Sequence, residues 1–335
     1  MKKYLLKKSV FGENLQLITP KRLQINYQHD LNAAQLQAVT STEGPHLIIA
    51  GAGTGKTRTI VYRVAYLVEL GVNPQEILLL TFTRKAAQEM LRRAALLLDS
   101  RCESVAGGTF HSFANNILRK YSKMIGYESN YTILDQGDAE DTINLIRTRL
   151  KLDTKEYRFP RKETLYDIHS KSINTITPIA EILTKDYPYY LEILSEIENL
   201  SRKYTDYKKQ HNLMDYDDLL ANLVILFQNY EEVRKAISKK YKYIMVDEYQ
   251  DTNRIQAEII KLLVKDPDGS YCNPNIMVVG DDAQAIYAFR GATIKNILEF
   301  PEIFPDCKII TLEENYRSTQ QILDVANAIL YSSGE

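Results

Sequence analysis

The chain has 335 residues, of which 44% are hydrophobic and 25% charged, and its formal net charge is −1. These are the proportions of an ordinary soluble globular protein with room for two or three domains, and a balanced charge neither requires nor excludes a local basic groove for nucleic acid. Three widely spaced cysteines (Cys102, Cys272, Cys307), no CxxC, HxxxH or HExxH spacing and no apolar run of membrane-span length argue against a disulfide framework, a zinc site and a membrane span.

Residues 1–29 show no periodicity or motif and are expected to be a small extension packed on the core. Their start, Met1-Lys2-Lys3-Tyr4-Leu5-Leu6, lacks a signal-peptide core, so a cytoplasmic location is expected. From about Leu31 strands and helices alternate. His46–Ala50 reads as a buried strand. It runs into Ala50-Gly51-Ala52-Gly53-Thr54-Gly55-Lys56-Thr57, which fits the phosphate-binding loop G-x-x-x-x-G-K-[ST]. Its glycines let several backbone N–H groups turn toward one anion. Lys56 adds a positive charge for the β- and γ-phosphates, and the Thr57 hydroxyl is suited to Mg²⁺. The helix expected over 57–70 points its N-terminus at the same phosphates.

Further strands are expected at Ile77–Phe82, Val105–Thr109, Tyr243–Val246, Ile276–Val279 and Lys308–Thr311, with a helix at Arg84–Leu98. Short apolar strands followed by helices predict a parallel sheet covered on both faces. The alternation lapses over 112–240, where helical patterns such as Asp138–Leu150 and Tyr189–Tyr207 predict a largely helical insertion. The 23 tyrosines, beside no tryptophan, read as compositional bias. The strand at Tyr243–Val246 ends in Asp247-Glu248. There Asp247 can position Mg²⁺ and Glu248 can orient an attacking water, completing an ATPase site.

Seven short runs occur in a particular order. They are Leu31–Gln35 (LNAAQ), Thr81–Met90 (TFTRKAAQEM), Gly108–Ser112 (GTFHS), Asp215–Leu219 (DYDDL), Asp247–Asn253 (DEYQDTN), Val279–Ala292 (VGDDAQAIYAFRGA) and Leu312–Ser318 (LEENYRS). Together they resemble the motifs of the UvrD/Rep/PcrA family of superfamily 1 DNA helicases, over about residues 28–333. The resemblance implies an α/β fold: a RecA-like P-loop motor with a helical inserted subdomain. It implies a motor domain over 30–111 and 241–311, the insertion over 112–240, and the start of a second motor domain at 312–335.

The same resemblance implies that ATP and Mg²⁺ are the cofactors. Gln35 would read adenine, Tyr316 would stack on it and Arg58 would touch the nucleotide. Gln284 would sense the γ-phosphate, and Arg317 would be an arginine finger. Catalysis would then rest on Lys56, Asp247, Glu248, Gln284 and Arg317, and the metal on Thr57 and Asp247. Single-stranded DNA and duplex junctions are the implied partners. Phe82, Tyr216, Tyr287 and Phe289 are candidates for stacking on bases, and Thr83, Arg84, His111 and Arg290 for holding phosphates. Phe110 is a further aromatic at a motif position, better read as core packing.

Three departures from the family pattern stand out: Phe289 where tryptophan is usual, and Ala283 and Ala285 on either side of Gln284. Two later family motifs are absent from these 335 residues. The expectation is therefore a chain that binds ATP·Mg²⁺, hydrolyses it slowly and does not unwind duplexes alone. The implied function is 3′→5′ helicase or translocase activity in repair or replication. The alternatives are the motor part of an AddA/RecB-like helicase–nuclease and a non-catalytic nucleotide- or DNA-binding fragment.

Overall fold

The structure is a computed structural model, and it describes residues 23–152, 159–284 and 295–333. Six strands form one sheet in the order β3-β2-β6-β7-β1-β8. They are β1 (His46–Ala50), β2 (Ile77–Leu80), β3 (Ala106–Gly108), β6 (Tyr243–Val246), β7 (Ile276–Gly280) and β8 (Lys308–Leu312). Every pairing is parallel, as the short apolar runs predicted. A second sheet of two short parallel strands, β4 (Thr132–Ile133) and β5 (Leu213–Met214), ties the chain before residue 136 to the chain after residue 210. Two-residue strands carry no readable period, so this pair was not legible in the sequence.

The helices are α1 (Tyr27–Asp30), α2 (Ala33–Thr40), α3 (Lys56–Glu69), α4 (Arg84–Leu97), α5 (Phe110–Tyr121), α6 (Gln136–Arg149) and α7 (Lys162–Thr175). They continue with α8 (Ile179–Asp186), α9 (Leu194–Gln210), α10 (Tyr216–Asn229), α11 (Glu231–Lys240), α12 (Arg254–Val264), α13 (Lys295–Ile303) and α14 (Gln320–Ser333). Most boundaries shift by one or two residues, and two differences have a clear local cause. Val105–Thr109 shortens because Thr109 leaves the strand to cap α5, its hydroxyl accepting from Ser112 N while Ser112 Oγ accepts from Thr109 N. The single helix expected over Tyr189–Tyr207 is a 3₁₀ turn, Pro188–Ile193, followed by α9; a proline at its start supplies the fixed φ of a helix start.

Alternation along the strands divides the core. Leu78, Leu80, Ile244, Val246, Ile276 and Val278 face one side, packed with α5, α10, α12 and α13. Ile48, Ile77, Leu79, Met245, Met277 and Val279 face the other, packed with α3 and α4. Phe110 is buried in the first of these layers. Of the extension, residues 23–29 lie against α3: Ile25 and Tyr27 are buried, and Tyr27 OH donates to Glu69 Oε2 at 2.7 Å.

The 112–240 stretch packs in two parts. Helices α5, α10 and α11 share the core of the sheet, whereas α6 to α9 form a separate apolar cluster around Ile143, Ile168, Leu183 and Leu200. A buried ion cluster joins the two parts. Lys208 on α9, fully buried, lies 2.6 Å from Asp215 Oδ2 and 2.7 Å from Asp218 Oδ2, and Tyr204 OH donates to Asp215 at 2.8 Å. Burial is the largest single influence on Asp215 and disfavours its charge, but the Lys208 charge and hydrogen bond, with the Asp218 N–H, together outweigh it and hold the carboxyl below its ordinary value. Asp218 is pushed up by burial and by Asp215 beside it.

Lys208→Met should strip two buried carboxylates of their counter-charge and cost about 3–5 kcal/mol of stability in urea unfolding, the range for breaking a buried pair from one side. An unchanged midpoint would show that the cluster is not needed to hold α9 on α10.

Candidate nucleotide and nucleic-acid site

Parallel strands deliver their C-terminal ends to one edge of the sheet, and the predicted nucleotide residues meet there. The 51–57 loop follows β1, and its turn uses left-handed backbone at Gly53 (φ +81) and Gly55 (φ +88). A Cβ on Gly53 would stand 2.7 Å from Arg317 Cβ and 2.8 Å from Asn315 Oδ1. The loop after β8 is therefore seated directly on the phosphate loop. Tyr316 N donates to Gly53 O at 2.9 Å, and Asn315 Nδ2 donates to Ala52 O at 2.5 Å. Arg317 is thereby brought against the loop from a position 264 residues later than Gly53 in the chain.

Lys56 Nζ donates to Glu248 Oε2 at 3.1 Å and to Gln284 Oε1 at 3.4 Å. Two residues predicted separately from Lys56 thus converge on its ammonium. Two residues not singled out complete the ring. Gln250 Nε2 donates to the same Glu248 oxygen at 2.7 Å, and its Oε1 accepts from Asp281 N at 3.1 Å. Asp281 Oδ2 in turn accepts from Gln284 Nε2 at 2.5 Å. Asp281 therefore holds Gln284 although Ala283 lacks a carboxylate. Glu248 sits in left-handed backbone (φ 50, ψ 50), an uncommon conformation for a residue with a Cβ.

Asp247 is buried at the tip of β6, and its Oδ1 has no hydrogen-bond partner among the described residues. Burial, with Glu248 beside it, pushes its pKa up to about 7. An orphaned buried carboxylate oxygen beside a phosphate loop is a fit for a divalent cation, whose charge reverses the burial penalty. Thr57, on the first turn of α3, is the hydroxyl expected to share that cation.

On the other flank, Gln35 is buried and caps α2 from within. Its Oε1 accepts from Asn32 N at 3.4 Å, and its Nε2 donates to Thr54 O at 3.0 Å. Both ends of the amide thus engage backbone, and Gln35 braces the loop. The Asn-x-x-Gln spacing was a visible capping signal for this role. Asn32 Nδ2 also donates to Tyr316 OH at 2.9 Å, so Gln35 and Tyr316 share one flank. Arg58 donates to Asp30 O at 2.8 Å and stacks over the Tyr62 ring at 4.9 Å.

A cleft of about 720 Å³ opens between these strand tips and the insertion. Phe82, His111, Asp247, Glu248 and Asp251 line one wall, and α7 with Asp217 the other. Phe82 and Tyr216 are exposed, and Tyr216 meets His111 edge-on at 5.9 Å. Burial lowers the His111 pKa, so at neutral pH this ring offers a hydrogen bond, not the positive charge expected of a phosphate clamp. Thr83 caps α4 through a bond from Ala86 N at 3.1 Å, with Arg84 beginning that helix. Tyr287, Phe289 and Arg290, and with them Ala285, lie outside the described residues. No helix among the described residues is long and apolar enough to cross a membrane.

The parallel sheet and its loop after β1 define a P-loop NTPase of RecA-like α/β architecture. More narrowly, the chain belongs to the UvrD/REP helicase family, since the family model described as "UvrD/REP helicase N-terminal domain" matches residues 31–305. It is similar to the ATP-dependent DNA helicase PcrA of Staphylococcus aureus (strain Mu50 / ATCC 700699), with 38% identity over 309 residues, 91% of this chain and 40% of that protein. PcrA of Staphylococcus epidermidis (strain ATCC 12228 / FDA PCI 1200) matches at 38% over 310 residues, with the same coverage. The chain thus spans 40% of the length of these curated relatives.

Two outcomes check this geometry. Gly53→Ala should weaken nucleotide binding at least about tenfold, because it combines left-handed strain of about 1–3 kcal/mol with the clash on Arg317 and Asn315. Gly269→Ala, with φ +86 but nothing within 4 Å, is the control for strain alone and should leave nucleotide affinity intact. The second outcome concerns Asp217, whose pKa is pushed up to about 6 by burial and by Asp215. A raised folded pKa means that stability is fully present below about pH 4 and is lost as pH rises to about 6. The loss is about 2–3 kcal/mol. Asp217→Asn should flatten that part of the slope in urea midpoints compared at pH 4.5 and pH 7.

Proposed function

We propose that this chain is the ATP-binding part of an ATP-dependent DNA helicase or translocase that moves 3′→5′ along single-stranded DNA. The observation that carries the reading is a shared wall: Asp247, Glu248 and Asp251 line the cleft, while Glu248 also holds the phosphate-loop Lys56. Residues able to act on a nucleotide and residues able to touch a strand are thus the same short segment.

ATP with Mg²⁺, when bound, supplies the hydrolysable anhydride and a charge that offsets its phosphates. This chain's own groups would do the rest. Backbone N–H groups of the 51–57 loop and the Lys56 ammonium would cradle the phosphates, with Gln35, Arg58 and Tyr316 toward the base. Thr57 and Asp247 would hold the cation, which requires Asp247 to be ionised. Lys56 would leave Glu248 on turning to the phosphates, and the freed carboxylate would orient water and take its proton. Gln284 would follow Lys56, linking phosphate occupancy to the loop after β7. Arg317 would stabilise the developing charge.

For DNA, the exposed rings of Phe82 and Tyr216 support sequence-tolerant stacking, worth roughly 1–3 kcal/mol per base. The carboxylates in the cleft repel phosphates, so a strand would turn bases inward and its backbone toward Thr83 and Arg84. We read residues 30–111 and 241–311 as the motor domain, 112–240 as its insertion, and 312–335 as the opening of a second motor unit. A cytoplasmic role in DNA repair or replication, acting at duplex junctions, fits this reading.

Phosphate release measured with and without oligo(dT) tests the proposal. Turnover should rise with the oligonucleotide, and Lys56→Ala should lower it by at least about 100-fold, the scale for losing one preorganised charge contact. Stimulated turnover that persists in Lys56→Ala would overturn the site. Binding of both ligands with no turnover would favour a non-catalytic binding module.

A further inference from the structure

The last turn of α7 reaches the cleft from the separately packed α6–α9 group, and there one amide joins three elements. Asn174 Nδ2 donates to Asp217 Oδ1 on α10 at 2.7 Å and to Ser170 O within α7 at 3.0 Å. Asn174 Oδ1 accepts from Asn253 Nδ2 at 2.7 Å. Asn253 in turn caps α12, its Oδ1 accepting from Gln256 N at 3.0 Å.

The segment from Glu248 to Asn253 has little slack. It begins in the left-handed backbone of Glu248 and makes a 3₁₀ turn over Tyr249–Asp251. Thr252 Oγ1 then donates to Tyr249 O at 2.6 Å, and Asn296 Nδ2 donates to Thr252 O at 2.9 Å. A displacement of Asn253 is therefore passed to Glu248 more readily than it is absorbed between them. On its own side, α7 ends just past Asn174 at Ile176, whose φ of 51 is uncommon for a β-branched residue.

The acceptors around this joint are incompletely used. Asp217 Oδ2 and Asp251 Oδ1 are buried and have no partner among the described residues. Both residues line the cleft, as Asn174 does. Leaving such acceptors unpaired is costly, so a ligand bearing N–H donors, as nucleobase edges do, gains by reaching them. Reaching them shifts the groups that Asn174 ties together.

We propose that Asn174 is a positioning residue that couples occupancy of the cleft to the Asp247–Glu248 tip, by making the α6–α9 group and the N-cap of α12 move as one body. It deepens the reading above, since it takes single-stranded DNA as the occupant and a nucleoside triphosphate as the ligand at the tip. Coupling of this kind is reciprocal and is measured as the factor by which one ligand changes the affinity for the other.

The test is titration of a fluorescent ATP analogue with Mg²⁺, with and without saturating (dT)₁₆, using the full chain. The wild type should show a shift in nucleotide Kd of about fivefold or more. Asn174→Asp sets a carboxylate against Asp217, and with (dT)₁₆ raised until it saturates the variant the shift should fall to about onefold. The reciprocal double variant Asn174→Asp/Asp217→Asn restores a donor facing an acceptor and should recover most of the shift. Thermal unfolding of all three shows whether a loss reflects the fold; a destabilised single variant leaves the double variant to decide.

A full shift in Asn174→Asp, or no recovery in a folded double variant, would overturn the proposal while leaving the functional reading intact. A wild type that binds both ligands without any shift would overturn it too. A wild type that fails to bind one of them would instead remove the functional reading on which it stands.

Discussion

All six strands of the large sheet run in one direction, and the site depends on that constraint. A parallel sheet sends every strand's outgoing loop to the same edge. The 51–57 loop, the Asp247–Glu248 tip, Asp281 with Gln284 and the Asn315–Arg317 loop are therefore neighbours, although the first and last are some 260 residues apart. Crossover helices fill both faces, so the sheet is held from both sides and its edge is a stable platform. The Lys56–Glu248 contact is a product of this platform: it spans the ends of β1 and β6, the two strands that flank β7, and needs both to open on the same edge.

A second level of organisation is polar and lies at the junction with the insertion. Asp215, Asp217 and Asp218 all turn inward, two to Lys208 and one to Asn174, while Tyr216 alone is exposed. One four-residue run therefore both anchors the α6–α9 group and presents an exposed ring beside His111. Apolar packing could hold these parts together without fixing their relative position. Charged and amide groups with few acceptable partners specify it more narrowly. That narrowness suits a cleft whose two walls must stay in register.

The nucleotide flank shows how one residue can carry two readings. Gln35 was expected to meet adenine, yet its amide caps α2 and braces Thr54. Both readings need the same position, beside the loop and next to Asn32, which reaches Tyr316. The bracing is what sets it there, because a capping box fixes the side chain before any ligand arrives.

Much of this was legible in the chain itself. Strands of four or five apolar residues, the glycine–lysine loop and the Asp-Glu run after β6 are local patterns with local causes: backbone freedom, burial and charge. Such patterns are enough to mark the sheet, the phosphate loop and the family likeness. The two-residue strands β4 and β5, the 3₁₀ turn at Pro188, and the split of 112–240 between two apolar cores were not legible. Each depends on partners distant in sequence. So do the ring through Gln250 and Asp281, and the Asn174 amide between Asp217 and Asn253. Residue type and spacing by themselves determined which chemistry this protein carries. Only the tertiary structure decided which groups hold that chemistry in place, since a hydrogen bond between distant residues leaves no periodic trace in the chain.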